Sequence, residues 1–309
     1  MNILTFLLAA LLAPLLLGIV NQTKAFFAGR RGPGLFRLYF DLAKLLRKSC
    51  PRSSTSTWIF DLAPAIALAA TLLAAIIFPW YSSDSDPARS SFIIHASSFS
   101  PALFFYLLGT GRFFTVLGAL DTGSAFEGMG ASREVQFSAL VEPIVFVILG
   151  FLVCLSGDTS LNGMLGGYDG NAWSHHAFSL ILIAVAFFAI LLCENCRVPF
   201  DDPETHLELT MIHEAMILDN AGPDLAFILY GAALKFELLA GFLVAMLIPK
   251  LSVGPEAKTA ILFGGILGVS ILVGIVESVI ARMRFLKTPQ ILMGTMMIAT
   301  LGAVLFILF

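Results

Sequence analysis

FSALVEPIVFVILGFLVCLSG, residues 137–157, carries one charge, Glu142, in an otherwise apolar run. About 20 apolar residues in helical form cross roughly 30 Å of hydrocarbon, so this stretch reads as a membrane span. A carboxyl group inside such a span is costly and asks for a partner or a task.

The rest of the chain repeats the pattern. Of 309 residues, 58% are hydrophobic and 13% charged, and the mean hydropathy is +0.90. These values place it among integral membrane proteins. Eight apolar runs, at about 2–20, 58–80, 100–120, 137–157, 177–194, 224–248, 259–281 and 290–309, predict eight transmembrane helices. The first has no basic residue ahead of it and no convincing cleavage site, so it reads as a retained span rather than a signal peptide. Gly264 and Gly268 form a small-xxx-small pair suited to close helix packing. No repeat, low-complexity tract or soluble extension interrupts the pattern, and residues 1–309 read as a single membrane domain. The expected fold class is an all-α integral membrane protein.

Basic residues set the orientation. Alternating from the connection 21–57, thirteen of the 18 Lys and Arg residues fall on one side and three on the other. By the positive-inside rule the loops 21–57, 121–136, 195–223 and 282–289 are cytoplasmic and both termini face outward, in a bacterial or archaeal cytoplasmic membrane. A net charge of -3 gives no reason to expect a nucleic-acid partner. The four cysteines do not form a disulfide framework, and the lone CxxC at Cys193 and Cys196 reads as small apolar packing.

Charges in or at the ends of spans are the first functional candidates: Arg112, Glu142, Glu194, Lys235, Glu237 and Glu277. Singly, each reads as a snorkelling side chain or half of a buried pair. Together they can form a water-bridged proton path. Lys235 and Glu237 are two apart, on different helix faces, so each needs its own partner or cavity.

The second candidate is the segment CRVPFDDPETHLELTMIHE, residues 196–214. Pro199 and Pro203 end the helix that reaches Glu194, and a new helix is expected near Pro203. In it Glu204 and Glu208 share a face, Asp201 lies near the start, and His206 and His213 are seven apart. Apolar residues between the charges suit cover by a partner. No His-Glu-x-x-His spacing supports a metal site.

The first cytoplasmic loop, AGRRGPGLFRLYFDLAKLLRK at 28–48, turns at Gly32-Pro33-Gly34 and then spaces leucines as an amphipathic helix along the membrane surface. Arg30, Arg31 and Asp41 stand in this loop; Arg133 comes from 121–136 and Arg197 from 195–223, and 21–57 with 195–223 would frame a docking surface or cavity mouth.

RRGPG with DLAKLL, then GASREVQFSALVEP, then ENCRVPFDDPETHLEL, in that order, resemble the signatures of the H-subunit (mitochondrial subunit 1) family of respiratory complex I and its relatives in membrane-bound nickel–iron hydrogenases. The form DDPETHLELTMIHE is similar to the formate hydrogenlyase subunit 4 and hydrogenase-4 C-subunit branch. The resemblance implies a membrane anchor and coupling subunit, with no catalytic residue of its own, linking a redox arm to proton or sodium translocation. Iron–sulfur clusters and a nickel–iron centre would lie in hydrophilic partner subunits, and antiporter-like membrane subunits would take up the coupled charge. In that reading Glu142, Glu194, Asp201, Glu204, Glu208, Lys235, Glu237 and Glu277 form the coupling path. Arg30, Arg31, Asp41, Arg112, Arg133, Arg197, His206 and His213 border the cavity or docking face. The alternative is the quinone-site subunit of a complex I-like donor:quinone oxidoreductase. Quinone-reducing members read Glu-Ala-Glu where this chain has Glu204-Thr205-His206, a departure that argues against quinone. A self-contained transporter would show paired repeats, which this chain lacks.

Overall fold

The computed structural model describes residues 3–52, 56–80, 100–166, 168, 170–201, 211–249, 254–280 and 287–308, and among them there are helices and no strands. In chain order the helices are α1 (Ile3–Phe27), α2 (Arg37–Leu45), α3 (Trp58–Ile77), α4 (Pro101–Asp121), α5 (Ala125–Ser156), α6 (Leu161–Met164), α7 (Asn171–Glu194), α8 (His213–Met216), α9 (Gly222–Leu247), α10 (Pro255–Val279) and α11 (Thr288–Leu308). Eight of them, all but α2, α6 and α8, are long and apolar enough to cross a membrane.

Helix α9 is the centre of the bundle. It packs against α1, α2, α3, α7 and α10, and 72% of its apolar stretch is buried, whereas no other span exceeds 50%. The sequence is consistent with this place: α9 carries Lys235 and Glu237 within its span, charges that hydrocarbon would not tolerate and the bundle interior can hold. Phe242 of α9 stacks between Phe187 of α7, at 4.9 Å, and Phe104 of α4, at 6.1 Å.

Three connections meet at one end of the bundle, beside the last turns of α1 and α10. Asp121, at the end of α4, accepts hydrogen bonds from the Thr57 amide (2.7 Å) and hydroxyl (2.8 Å). Arg133 donates to the Met211 carbonyl (2.9 Å), Glu127 accepts from the Asp219 amide (3.0 Å), and Lys24 pairs with Glu277 (3.2 Å). This is the basic end. At the opposite end Tyr168 and Trp173 donate to the Met246 and Leu247 carbonyls, closing the last turn of α9.

The structure departs from the sequence expectations at four places. The fourth span does not begin near 137, after a loop 121–136: α5 starts at Ala125 and runs 32 residues, about 48 Å. Gly130 makes this possible. A side chain there would meet the Ile212 carbonyl at 2.8 Å, so the glycine seats the 212–216 segment against α5 and helps hold the early turns in place. Helix α1 likewise continues to Phe27, carrying Lys24 within it.

Gly264 and Gly268 are exposed and face open space. The close approaches of α10 are made by Gly265, against Val244, and Gly274, where a Cβ would lie 3.0 Å from the Val20 carbonyl. Helix rotation, which the small-residue pattern alone does not specify, decides which glycine meets a neighbour.

The fourth difference concerns α2. Its leucines do not face outward: Leu38, Leu42 and Leu45 are half-buried, and the helix packs on α1 and α9. The chain doubles back beside α1. Gln22 donates to the Pro33 carbonyl at 2.8 Å, Gly18 lies against the Leu35 backbone, and the Tyr39 hydroxyl donates to the Leu11 carbonyl. Pro14 explains part of the seat. Lacking an N–H, it frees the Ala10 carbonyl of α1, and Tyr230 of α9 supplies the missing donor at 2.9 Å.

Candidate functional site

The site is built where α7 ends. Asn195 caps the helix, Cys196 adopts a left-handed φ of +50°, and the Cys196 and Arg197 amides return to the carbonyls of Cys193 (3.0 Å) and Leu192 (2.9 Å). This is a Schellman closure with cysteine where glycine is usual. It holds Glu194 on the last helical turn and turns Arg197, three residues on, toward α10.

Glu194 takes two cations. Lys235 of α9 lies 2.7 Å from its carboxylate and also donates to the Glu194 backbone carbonyl at 2.7 Å, while Arg112 of α4 hydrogen-bonds the other carboxylate oxygen. Arg112 then reaches Glu142 of α5 at 3.5 Å. Glu194, Arg112 and Lys235 are largely buried, but the Glu142 side chain is 58% exposed on the flank of the bundle. A second group adjoins the first. Arg197 pairs with Glu277 of α10 (3.3 Å), whose other oxygen meets Lys24 of α1 (3.2 Å), and its guanidinium lies 6.0 Å from the Phe236 ring centre. Signs alternate along each group, so charges withdrawn from water are matched locally.

Two cavities flank the Arg112–Glu194 pair. One, of about 110 Å³, has apolar walls from α1, α3, α4 and α9 and a polar end formed by Glu134, Arg197, His213 and Lys235. The other, of about 60 Å³, lies between α4 and α5 and reaches Glu142. Leu108, Arg112 and Glu194 line both cavities, so the ion pair is the polar part of the partition they share.

The segment after α7 closes the first cavity. Asp201, 2% exposed, accepts the Ile212 amide at 3.0 Å, and Arg133 holds the neighbouring Met211 carbonyl. His213 opens α8 with its Nε2 buried and without a hydrogen-bond partner. Burial, reinforced by the positive charges of Lys235 and Arg197, brings its pKa down to about 4, so the imidazole is neutral near neutral pH. Burial also pushes the Cys196 thiol well above its ordinary range, and the Glu134 and Asp201 carboxylates add to the effect. That thiol is an inert packing group rather than a nucleophile.

The sequence candidates therefore divide. Arg112, Glu142, Glu194 and Lys235 meet in one array; Arg197 and Glu277 form the second; Asp201, Arg133 and His213 fix the cavity wall. Glu237 stands apart, fully buried in α9 with neither carboxylate oxygen partnered. Arg30 and Arg31 are exposed beyond α1, and Asp41 pairs within α2 with Arg37, at 3.6 Å. Glu204, His206 and Glu208 lie outside the described residues. Two members escape the sequence reading. Lys24 counts there as a loop residue, and Glu134 falls inside the supposed loop 121–136. Glu134 sits 4.0 Å from the Cys196 thiol, on the buried stripe of α5 that continues through Phe137, Val141 and Ile144. Extending the helical period upstream from 137 would have found it.

Among the described residues no three of His, Cys, Asp and Glu gather as metal ligands. The residues described do not fit an iron–sulfur cluster or a nickel–iron centre: Cys193 and Cys196 are buried in apolar packing, and Cys50 and Cys154 are remote in the chain. What the array can do is move charge. Carboxylates held between cations, with cavities on either side, can exchange protons and change partners without large backbone movement.

The family model described as NADH dehydrogenase matches residues 1–308. Hydrogenase-4 component C of Escherichia coli (strain K12) is 31% identical over 283 residues, covering 89% of this chain and 85% of that protein. Formate hydrogenlyase subunit 4 of the same organism is 29% identical, with 90% and 89% covered. An NADH-quinone oxidoreductase H-subunit of Geobacter sulfurreducens is 28% identical, with 67% of this chain and 64% of that protein covered. A chain in the structure of the membrane-bound sulfane sulfur reductase, an archaeal respiratory membrane complex, shares the fold with a TM-score of 0.75 at 20% identity, covering 98% of this chain and 97% of that one.

Proposed function

This chain belongs to the NADH dehydrogenase family, and on that premise we propose that it is the membrane anchor and coupling subunit of an energy-converting nickel–iron hydrogenase or formate hydrogenlyase-type complex. The observation that carries this reading is the partition: the Arg112–Glu194 ion pair is the polar part of the wall between a cavity that ends at Arg197 and His213 and one that ends at Glu142 on the flank. The basic end faces the cytoplasm, where hydrophilic subunits with the iron–sulfur clusters and the nickel–iron centre cover the ends of the connections around Arg30, Arg31 and 195–221. A redox event above the first cavity alters the charge at its polar end. Lys235 and Arg112 then shift their hold on Glu194, and the change arrives at Glu142, which delivers it to a neighbouring antiporter-like membrane subunit as proton or sodium movement. Glu134, on the wall of the first cavity, takes the proton nearest the Arg112–Glu194 partition.

The test neutralises Glu142 in the assembled complex. Its side chain is exposed, so Glu142→Gln leaves the packing intact. Assembly and hydrogenase activity with an artificial acceptor should be retained while coupled ion translocation is lost; translocation at the wild-type rate would overturn the proposal. The similarity to the NADH-quinone oxidoreductase chain favours one other reading, a quinone-reducing complex. Purification separates the two, since the first requires a hydrogenase large subunit to accompany this chain and the second a donor:quinone module.

A further inference from the structure

Helix α2 presents an unusual outer face. Phe36, Arg37, Phe40, Lys44, Arg47 and Lys48 fall on one arc at helical spacing and all are exposed, while Leu38, Tyr39, Leu42 and Leu45 face the bundle. Phe40 is 73% exposed and Phe36 59%. The acidic residue nearby, Asp41, is held by Arg37 and is half-buried, so the outer arc carries a clear positive excess.

Depth decides what can cover this face. Pro33, Leu35 and Tyr39 meet Gln22, Gly18 and Leu11 of α1 in turn, a retreat of 11 residues or about 16 Å along that helix. These positions fall within the membrane-crossing stretch Thr5–Phe27. The Tyr39 side chain reaches down α1, while the Lys48 and Ser49 carbonyls return to Gly222 at the head of α9, so α2 lies beside the bundle near the basic ends of the spans and its outer face looks sideways. A soluble subunit resting on the basic end would meet Arg30 and Arg31, beyond the end of α1, before it met Phe40.

We propose that the outer face of α2 is a seat for anionic phospholipid of the adjacent leaflet. Phe36 and Phe40 enter the boundary between headgroups and acyl chains, where aromatic rings are favoured. Arg37, Lys44, Arg47 and Lys48 extend their charged ends to the lipid phosphates, keeping their stems against the apolar surface. The half-buried leucine face packed on α1 and α9 holds the helix, so the seat is preformed. This inference does not rest on the coupling role; it concerns a different face of the molecule.

Two measurements test it. In the first, the full-length chain in detergent is offered equal amounts of phosphatidylglycerol and phosphatidylcholine, and retained lipid is counted by native mass spectrometry. Wild type should prefer phosphatidylglycerol, and the triple variant Arg37→Gln, Lys44→Gln, Arg47→Gln should lose the preference by at least about tenfold. The charge-conserving variant Arg37→Lys, Lys44→Arg, Arg47→Lys should keep it, which separates charge from folding, and Arg30→Gln with Arg31→Gln should leave it unchanged. Equal retention of both lipids by wild type, or an unaltered preference in the triple variant, would overturn the proposal. In the second, the photo-crosslinking residue p-benzoylphenylalanine replaces Phe40 in the assembled complex in native membranes. Adducts to lipid are expected, and adducts to another polypeptide would show that a protein, not lipid, covers the face.

Discussion

His213 offers a quantitative test of the cavity. Its imidazole is half-buried at the head of α8, its Nε2 has no partner, and protonation would add a third positive charge near Lys235 and Arg197. The folded chain holds its pKa at about 4, against an ordinary value of 6.5. Between these values the unfolded chain takes up a proton that the folded chain refuses, so unfolding becomes easier as pH falls from about 6.5 toward 4. The full difference corresponds to roughly 3 kcal/mol, of which about 2 kcal/mol is lost between pH 7.5 and pH 5. The perturbation is His213→Gln, which keeps a polar side chain of similar reach and removes the titration. Unfolding of the full-length chain in detergent, followed by tryptophan fluorescence at pH 7.5, 6 and 5, should show a shallower acid loss for the variant than for wild type. Carboxylates shared by both proteins titrate in both and cancel in the comparison. Equal acid loss in the two would refute the reasoning, because it would mean that protonated His213 is accommodated in the cavity.

Two further outcomes follow from the packing. Tyr230→Phe removes the donor to the Ala10 carbonyl that Pro14 leaves free, and should cost about 1–3 kcal/mol in denaturant unfolding; no change would mean that the carbonyl is satisfied otherwise. Glu237→Met removes an unpartnered buried carboxyl and should be neutral or stabilising by about 1–3 kcal/mol, whereas Lys235→Met strips Glu194 of a cation and should cost about 3–5 kcal/mol. Equal losses in these two α9 variants would sink the assignment of Glu237 to a place outside the array.

The elements were legible to different degrees. The eight spans follow from apolar length, which depends on local composition and bilayer thickness alone. Their ends followed less well: α5 runs upstream to Ala125 because the segment 212–216 packs on Gly130, a contact between residues some eighty positions apart. The pairing of Lys235 with Glu194 was not legible either, although both residues stood out by their charge. The sequence does separate Lys235 and Glu237 onto different faces, and the structure bears this out, with one in the array and the other alone.

By itself, then, the sequence determined that this chain is a membrane helix bundle, which charges must be accounted for within it, and which family it resembles. Those conclusions rest on the cost of placing a charge or an unpaired backbone group in hydrocarbon, a cost that each residue carries wherever it packs. The tertiary structure alone decided that Arg112 and Glu194 stand between the cavities, that Glu142 reaches the flank, and that α2 turns its leucines inward and its cations outward. These depend on helix rotation and on which helices touch, and a period of 3.6 residues leaves both open until the bundle is packed.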